Sequence, residues 1–264
     1  MKIYKALTIA GSDSGAGAGI QADLKTFAAL GVYGTSVITA ITAQNTVGVT
    51  QVLELSPNLI AAQIDAVITD IGAHALKTGM LANSEIIETV SDKIREHGLK
   101  KLVVDPVMVA KGGDRLLHKD AIETLRNRLI PLAEVVTPNL PEAEELTGLK
   151  VDRAAKIKEA AKRIVAMGAR SVVIKGGHRR GPATDLFYDG KTFHELRASR
   201  IRTRYTHGTG CTFSAAIAAN LAKDEKVEKA VIDAKKFITS AIQNGFAIGA
   251  GHSPVHHFYR YWRK

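Results

Sequence analysis

The chain has 264 residues, 45% of them hydrophobic and 23% charged, a composition ordinary for a globular enzyme with a sizeable core. Its formal net charge is +10, but the basic residues are scattered and aromatic residues make up only 5%, which argues against a nucleic-acid-binding protein. One cysteine excludes an internal disulfide, and no apolar run suits a signal peptide or a membrane span, so we expect a cytoplasmic protein without a membrane partner.

Strand-like and helix-like segments alternate along the whole chain. The predicted strands are Lys5–Ala10, Thr35–Ala43, Val49–Leu55, Ala75–Gly79, Lys101–Asp105, Glu134–Thr137 and Ser171–Lys175, followed by a hairpin of Thr184–Tyr188 and Thr192–Leu196. The predicted helices are Ile20–Leu30, Asn58–Ile71, Ser84–Glu96, Lys119–Leu129, Glu142–Leu146, Ala154–Met167, Thr212–Leu221 and Val227–Phe246. This alternation predicts one α/β domain over residues 1–264, with a mostly parallel central sheet flanked by helices. In such a sheet, ligands bind beyond the carboxyl ends of the strands.

A glycine-rich segment, residues 11–19 (GSDSGAGAG), follows the first predicted strand. Its spacing does not fit the dinucleotide motif G-x-G-x-x-G, and the acidic residue expected about twenty positions later is missing, so a nicotinamide-dependent oxidoreductase is disfavoured. A Walker-type P-loop is disfavoured as well, because no Gly-Lys-Ser/Thr ends the segment. These glycines either let the backbone approach a small ligand closely or form a flexible turn, and the glycines alone favour the turn.

Gln44 and Asp105 each stand at or just after the end of a predicted strand. The carboxamide of Gln44 offers a donor and an acceptor side by side, which matches the edge of an aminopyrimidine or, alternatively, caps a turn. Asp105 precedes Pro106 and either faces a metal or phosphate cluster or caps the turn. The two glycines within residues 108–114 suggest a flap that excludes water from the reaction.

Asn139 and Glu142 are three residues apart at the start of a predicted helix. An amide oxygen and a carboxylate can hold Mg²⁺ through its waters, but the same pair makes a good capping box. Lys175 ends an apolar strand before two glycines, where it either neutralises a phosphate or lies on the surface of a turn.

The segment Thr206-His207-Gly208-Thr209-Gly210-Cys211-Thr212 runs directly into an apolar helix. Unpaired backbone N–H groups and the helix dipole make such a start an anion site, suited to a phosphoryl group. Cys211 is the only cysteine, and a helix N-terminus predicts a lowered thiol pKa and a role as base or nucleophile. The alternative is a tight turn beside a small buried apolar residue.

Together these segments resemble the ribokinase-like superfamily, and within it the branch of the hydroxymethylpyrimidine/phosphomethylpyrimidine kinases. The matching runs, in order from Ala6 to Phe258, are ALTIAGSDSGAGAGIQADLKTF, SVITAITAQNT, KTGML, VVDPVMVAKGGDRLL, VTPNLPEAEELTG, VIKGGH, THGTGCT and PVHHF. The run GTGC is discriminating, because most of the superfamily carries Asp where Cys211 stands. The resemblance implies a ribokinase-like three-layer sandwich and a homodimer.

The resemblance also implies an activity. With ATP and Mg²⁺, the chain would phosphorylate the hydroxymethyl group of 4-amino-5-hydroxymethyl-2-methylpyrimidine, and then phosphorylate the product again to the diphosphate, in thiamine biosynthesis. A pyridoxal or pyridoxine kinase is the nearest alternative, because vitamin B6 also carries a hydroxymethyl group on an aromatic nitrogen ring. The basic tail after Phe258 and the segment 179–181 match no part of the family that we can assign.

The resemblance assigns a role to each site residue. It places Cys211 at the base position, Lys175 on the phosphates, and an anion hole at Gly208, Thr209 and Gly210. The expected substrate-pocket residues are Gly11, Asp23, Gln44, Met80 and Val107. The expected Mg²⁺–phosphate network consists of Asp105, Asn139 and Glu142. Besides Lys175, Asn139, Glu142, Gly208 and Thr209, the expected nucleotide contacts include Thr206 and His207.

Overall fold

A computed structural model describes residues 2–109, 113, 116–177 and 183–262. The predicted flap at residues 108–114 lies partly, and the segment 179–181 wholly, outside the described residues. Among the residues that are described, no helix combines the length and the apolarity needed to cross a bilayer.

In the part of the chain that the structure describes, nine strands form one sheet. They are β1 (Lys5–Asp13), β2 (Tyr33–Gln44), β3 (Val49–Glu54), β4 (Ala75–Thr78), β5 (Leu102–Val104), β6 (Ala133–Val136), β7 (Val172–Ile174), β8 (Asp185–Tyr188) and β9 (Phe193–Leu196). Their order across the sheet is β3-β2-β1-β4-β5-β6-β7-β8-β9. The pairs from β2 through β7 are parallel, whereas β3, β8 and β9 pair antiparallel at the two sides.

Eight α-helices cover the sheet. They are α1 (Gly19–Ala29), α2 (Pro57–Asp70), α3 (Ser84–Glu96), α4 (Ala121–Thr124), α5 (Leu140–Thr147), α6 (Ala154–Ala166), α7 (Thr209–Ala222) and α8 (Val227–Gln243). The helix predicted over Lys119–Leu129 is wrong in part, because only Ala121–Thr124 is α-helical and a π-turn (Leu125–Leu129) and a 3-10 turn (Ile130–Leu132) continue it. Pro131 lies in that 3-10 turn, where its ring fixes φ and its missing N–H breaks the helical ladder.

The central strands are buried on both faces because their side chains alternate between two cores. In β5, Leu102 and Val104 belong to one core, whereas Val103 belongs to the other. The first core packs under α2, α3, α5 and α6, and the second packs under α1, α7 and α8. The sheet therefore lies between two layers of helices, which confirms the predicted α/β sandwich.

Candidate active site

A cavity of about 1160 Å³ opens at the carboxyl edge of the parallel strands. Side chains just after β5, β6 and β7 line its middle, namely Asp105, Asn139 and Lys175. Gln44 and Ile242 of α8 also line it. Pockets for one small ligand span ~300–1,000 Å³, so this cavity has room for two reactants. The place at the carboxyl edge is the one that the sequence predicts.

The N-terminal turn of α7 faces this cavity. Gly208, Thr209, Gly210 and Cys211 all line it, and Thr209 begins the helix. Gly208 is the N-cap with φ +73°, a left-handed conformation that suits glycine. The first N–H groups of the helix and its dipole therefore point positive charge at the cavity, as an anion site requires.

The glycine-rich segment wraps around the carboxylate of Asp13. Asp13 accepts N–H bonds from Gly15 (2.8 Å), Gly17 (3.1 Å) and Ala18 (2.8 Å). Burial raises the pKa of this carboxyl, but these donors and His207 outweigh the effect and leave the pKa lowered. Gly15 and Gly17 thus help to close the backbone around a carboxylate, whereas Gly11 and Gly19 line the cavity, and their approach to a ligand stays a prediction.

His207 ties this segment to the start of α7. Its Nε2 lies 2.9 Å from Asp13 Oδ2, and its ring fills the place where a Cβ on Gly17 would sit, 2.1 Å from the nearest ring atom. A Cβ on Gly208 would lie 1.8 Å from the Gly17 carbonyl oxygen. The two loops therefore touch backbone to backbone. Both Thr206 and His207 line the cavity, and their contact with a nucleotide stays a prediction.

Lys175 stands between two buried carboxylates. Its Nζ lies 3.0 Å from Asp105 Oδ1 and 3.9 Å from Glu142 Oε2. Burial alone would lower the pKa of Lys175, but the two carboxylates raise it, so the ammonium stays charged. A Cβ on Gly210 would lie 3.3 Å from this Nζ, which places the cation beside the first turn of α7.

Asn139 and Glu142 form the capping box of α5. Asn139 Oδ1 accepts the Glu142 N–H at 2.9 Å, and Glu142 Oε2 accepts the Asn139 N–H at 2.7 Å. Both residues also line the cavity, so capping and a role at the site coexist in one pair. Burial, opposed by Lys175, raises the pKa of Glu142 to about 7.

Comparison with known proteins decides the family. The sequence profile described as phosphomethylpyrimidine kinase matches residues 13–256. The hydroxymethylpyrimidine/phosphomethylpyrimidine kinase of Rhizobium meliloti is 55% identical, over 98% of this chain and 98% of its own length. The chain belongs to the phosphomethylpyrimidine kinase family.

Two further relatives bear on fold and pathway. A crystal structure of Bacillus subtilis pyridoxal kinase with ADP superposes with a TM-score of 0.91 at 45% identity, covering 98% of this chain and 100% of that one. This match confirms the ribokinase-like fold. The thiamine biosynthesis bifunctional protein ThiED of Geobacter sulfurreducens is 50% identical over 95% of this chain, which spans 51% of that larger protein.

Kinases of this kind use Mg²⁺ with the nucleotide, and the residues present fit such an ion. Asp105 is 1% exposed, and its Oδ2 has no hydrogen-bond partner within the described part of the chain. A buried carboxylate oxygen without a partner is costly, and hard oxygen ligands are those Mg²⁺ takes. Glu142 and the Asn139 amide lie across Lys175 from it.

Four of the predicted substrate residues line the cavity, and these are Gly11, Gln44, Met80 and Val107. Gly11 leaves room for the Met80 side chain, because a Cβ at position 11 would lie 3.1 Å from the Met80 sulfur. Gln44 ends β2, and its carboxamide lies 3.1 Å from the Thr42 hydroxyl, which donates its proton to the Ser12 carbonyl oxygen at 2.8 Å. The carboxamide carries both a donor and an acceptor for a ligand.

Asp23 is the exception. Its side chain is wholly buried and does not line the cavity, so the expectation of direct substrate contact is corrected. Asp23 instead accepts hydrogen bonds from Thr8 Oγ1 (2.6 Å) and Lys77 Nζ (2.9 Å). Lys77 does line the cavity. Sequence reasoning missed Lys77, although a lysine inside the apolar strand ALKT is a visible signal.

The expected lowering of the Cys211 pKa is also wrong for the protein without ligands. Burial raises the pKa of this thiol to about 11, although Lys77 and a Gly19 N–H act to lower it. Asp23 and Asp105 add to the rise. The helix N-terminus is present as predicted, but desolvation outweighs it.

Proposed function

We propose that this protein transfers the γ-phosphoryl group of ATP to 4-amino-5-hydroxymethyl-2-methylpyrimidine, and then a second one to the resulting monophosphate, in thiamine biosynthesis. One observation carries the proposal. A cavity large enough for two reactants brings Gln44, a helix N-terminus with Cys211, and Lys175 together in a chain of the phosphomethylpyrimidine kinase family. The Rhizobium meliloti relative and the Geobacter sulfurreducens thiamine protein support the same substrate and pathway.

In the first transfer, the hydroxymethyl oxygen attacks the γ-phosphorus. The substrate O–H bond breaks and its proton passes to the thiolate of Cys211, a new O–P bond forms, and the bond to ADP breaks with its electron pair. The N–H groups at the start of α7 and the Lys175 ammonium lie where negative charge on the moving phosphoryl group would be stabilised. Mg²⁺, held by Asp105, Asn139 and Glu142, would neutralise charge on the nucleotide phosphates when bound.

The second transfer differs in its nucleophile. A phosphate monoester has a second pKa of about 6 and is largely ionised at neutral pH. It therefore needs no base to lose a proton, and Cys211 would then only line the anion hole. The same site thus serves both steps with different demands on one residue.

The experiment is product analysis by mass spectrometry after incubation with Mg-ATP and the hydroxymethylpyrimidine, with pyridoxal in a parallel reaction. The proposal expects both mono- and diphosphorylated pyrimidine. Absence of any phosphorylated pyrimidine would overturn it. Replacement of Gln44 by Glu removes the NH₂ donor and should raise KM for the pyrimidine more than it lowers kcat.

Pyridoxal kinase is a second candidate, since the Bacillus subtilis structure that superposes so closely is a pyridoxal kinase. Pyridoxal shares the hydroxymethyl group on an aromatic nitrogen ring. Phosphorylated pyridoxal as the only product would move the protein to that activity. Both products together would make it a kinase with two substrates.

We also propose that residues 1–264 form one kinase domain, that it acts in the cytoplasm, and that two copies form a homodimer. The continuous nine-stranded sheet supports the single domain, and ATP use with a single free cysteine supports the cytoplasmic location. The homodimer is supported by the edge strand β3, which carries exposed apolar side chains. Leu53 is 63% exposed and Val52 is 46% exposed.

A further inference from the structure

Lys77 is a charged residue inside a strand of the central sheet. Its side chain is wholly buried, and its Nζ donates to Asp23 Oδ2 at 2.9 Å. Thr8 Oγ1 donates to the same oxygen at 2.6 Å. Replacing a buried ion pair by well-packed apolar residues is often neutral or stabilising, so stability alone is a weak reason to keep this pair.

The position of Lys77 puts its charge at the active site. Lys77 pairs with Thr8 of β1 and Val103 of β5, and Val103 belongs to the core under α1, α7 and α8. Its side chain therefore lies on the sheet face that carries α7. A Cβ on Gly79 would lie 2.7 Å from Lys77 Nζ, so the ammonium reaches two residues beyond its own position toward the carboxyl edge. Lys77 and Cys211 line the same cavity there.

Four charged groups interact electrostatically with the Cys211 thiol, and they come from different elements. Lys77 of β4 and Lys175 after β7 are cationic, whereas Asp23 of α1 and Asp105 after β5 are anionic. Lys175 already faces two carboxylates, at 3.0 and 3.9 Å. Lys77 contacts Asp23, through an oxygen shared with the Thr8 hydroxyl, and it also interacts electrostatically with Asp105.

The ammonium of Lys77 is charged in the folded protein. Burial would lower its pKa, but the neighbouring Asp23 carboxylate raises it above its ordinary value. A thiol becomes a useful base only as the thiolate, and a fixed cation in a desolvated site is what stabilises that form.

We propose that Lys77 is a positioning residue of the kinase, whose ammonium, oriented by Asp23 and Thr8, stabilises the thiolate of Cys211 that takes the substrate proton. The idea rests on the proposed function for its role in turnover. The electrostatic coupling between Lys77 and Cys211 does not depend on any substrate.

The test uses the fact that Cys211 is the only cysteine of the chain, so that alkylation reports on one thiol. The rate of reaction with iodoacetamide is measured against pH for the wild type, Lys77→Met and Asp23→Asn. Lys77→Met should raise the apparent pKa of the thiol by at least one unit, which slows alkylation about tenfold at any pH below that pKa. Asp23→Asn removes the carboxylate that holds the Lys77 ammonium charged and in place, so it should slow alkylation as well. Lys77→Arg keeps the positive charge and should be alkylated faster than Lys77→Met, which separates a charge effect from general damage.

Matched controls define the background. Lys93→Met breaks another lysine–carboxylate pair, Lys93 with Asp65 at 2.8 Å, on α3 away from the cavity, and should leave the alkylation profile unchanged. Cys211→Ser should abolish labelling. Circular dichroism and thermal unfolding show which variants are folded. If Lys77→Met does not fold, Asp23→Asn carries the test alone.

An unchanged thiol pKa in folded Lys77→Met, or unchanged or faster alkylation in Asp23→Asn, would overturn the proposal. In turnover, the pH profile of kcat for the first phosphorylation should move with the thiol pKa in each variant, whereas the second should move less. Failure of the chain to phosphorylate the pyrimidine would count against the proposed function only, because alkylation requires neither ATP nor substrate.

Discussion

At the scale of single residues, the proposed function gives Cys211 a different role in each of the two phosphorylations. The first step needs a base, and a positioned base contributes ~10²–10⁴-fold to a rate. Cys211→Ala should therefore lower kcat for the first phosphorylation by about a hundredfold or more, and kcat for the second by much less. Separate assays that start from the pyrimidine and from its monophosphate measure the two effects.

Cys211→Ser is the informative companion variant. A hydroxyl keeps the size and polarity of the group but has a pKa far above that of a thiol, so it should fail in the first step and support the second. Equal losses in both steps would mean that Cys211 only shapes the anion hole.

His257 makes the stability of the protein depend on pH. Burial, together with the nearby charge of Lys25, lowers the pKa of His257 from 6.5 to about 3, and its Nε2 lies 2.9 Å from Thr212 Oγ1. Between these two values the unfolded chain binds the proton and the folded protein does not, so stability falls as pH falls from 6.5. His257→Gln should remove this loss and reduce the difference in unfolding free energy between pH 7.5 and pH 5 by roughly 1–2 kcal/mol.

Urea unfolding at the two pH values measures that difference. His252→Gln is the control, since His252 is exposed and should leave the pH dependence as it is in the wild type. A His257→Gln variant that loses as much stability at pH 5 as the wild type would contradict the assignment.

At the scale of elements, the start of α7 depends on one backbone conformation. Gly208 has φ +73°, and a Cβ there would meet the Gly17 carbonyl oxygen at 1.8 Å. Gly208→Ala would have to separate the two loops, which moves the N–H groups of α7 away from the phosphoryl group. We expect kcat to fall at least tenfold and the melting temperature to drop.

Gly98 provides the matched substitution. It also has positive φ (+58°), at the end of α3, but nothing lies within 4 Å of a Cβ there. Gly98→Ala should cost only the conformational penalty, about 1 kcal/mol, and leave kcat unchanged. Similar kcat values for the two alanine variants would show that close contact of the loops is not required.

The strands and most helices could be predicted from periodicity, because each buried segment carries its own pattern. The helix predicted over Lys119–Leu129 could not, since its apolar spacing is also compatible with the π-turn that the structure has at Leu125–Leu129. The first strand is longer than predicted, reaching Asp13, because polar Ser12 and Asp13 pair with β2 beyond the apolar run.

At the scale of the whole molecule, the site forms where distant segments meet at one edge of the sheet. The placement of Gln44, Asp105, Asn139 and Lys175 could be predicted, since each follows a strand and parallel strands end together. The contact between Asp23 and Lys77 could not be predicted from the sequence. It depends on β1 lying beside β4, although two strands separate them in the chain, and on α1 packing against β1. Strand order is a long-range property that local patterns do not encode.

The edge of the sheet gives the last prediction. β3 has one pairing partner, and Leu53 on it is 63% exposed in a strand whose side chains lie largely in solvent. An apolar edge of this kind pairs readily with a second copy. If the homodimer uses this edge, Leu53→Lys should convert it to a monomer in light scattering coupled to size exclusion, because two buried ammonium groups would face each other across a twofold axis. Ile3→Lys adds the same charge at a side chain of similar exposure (61%) outside β3, and should remain dimeric. A Leu53→Lys protein with the mass of the dimer would place the interface elsewhere, and a monomeric wild type would refute the dimer itself.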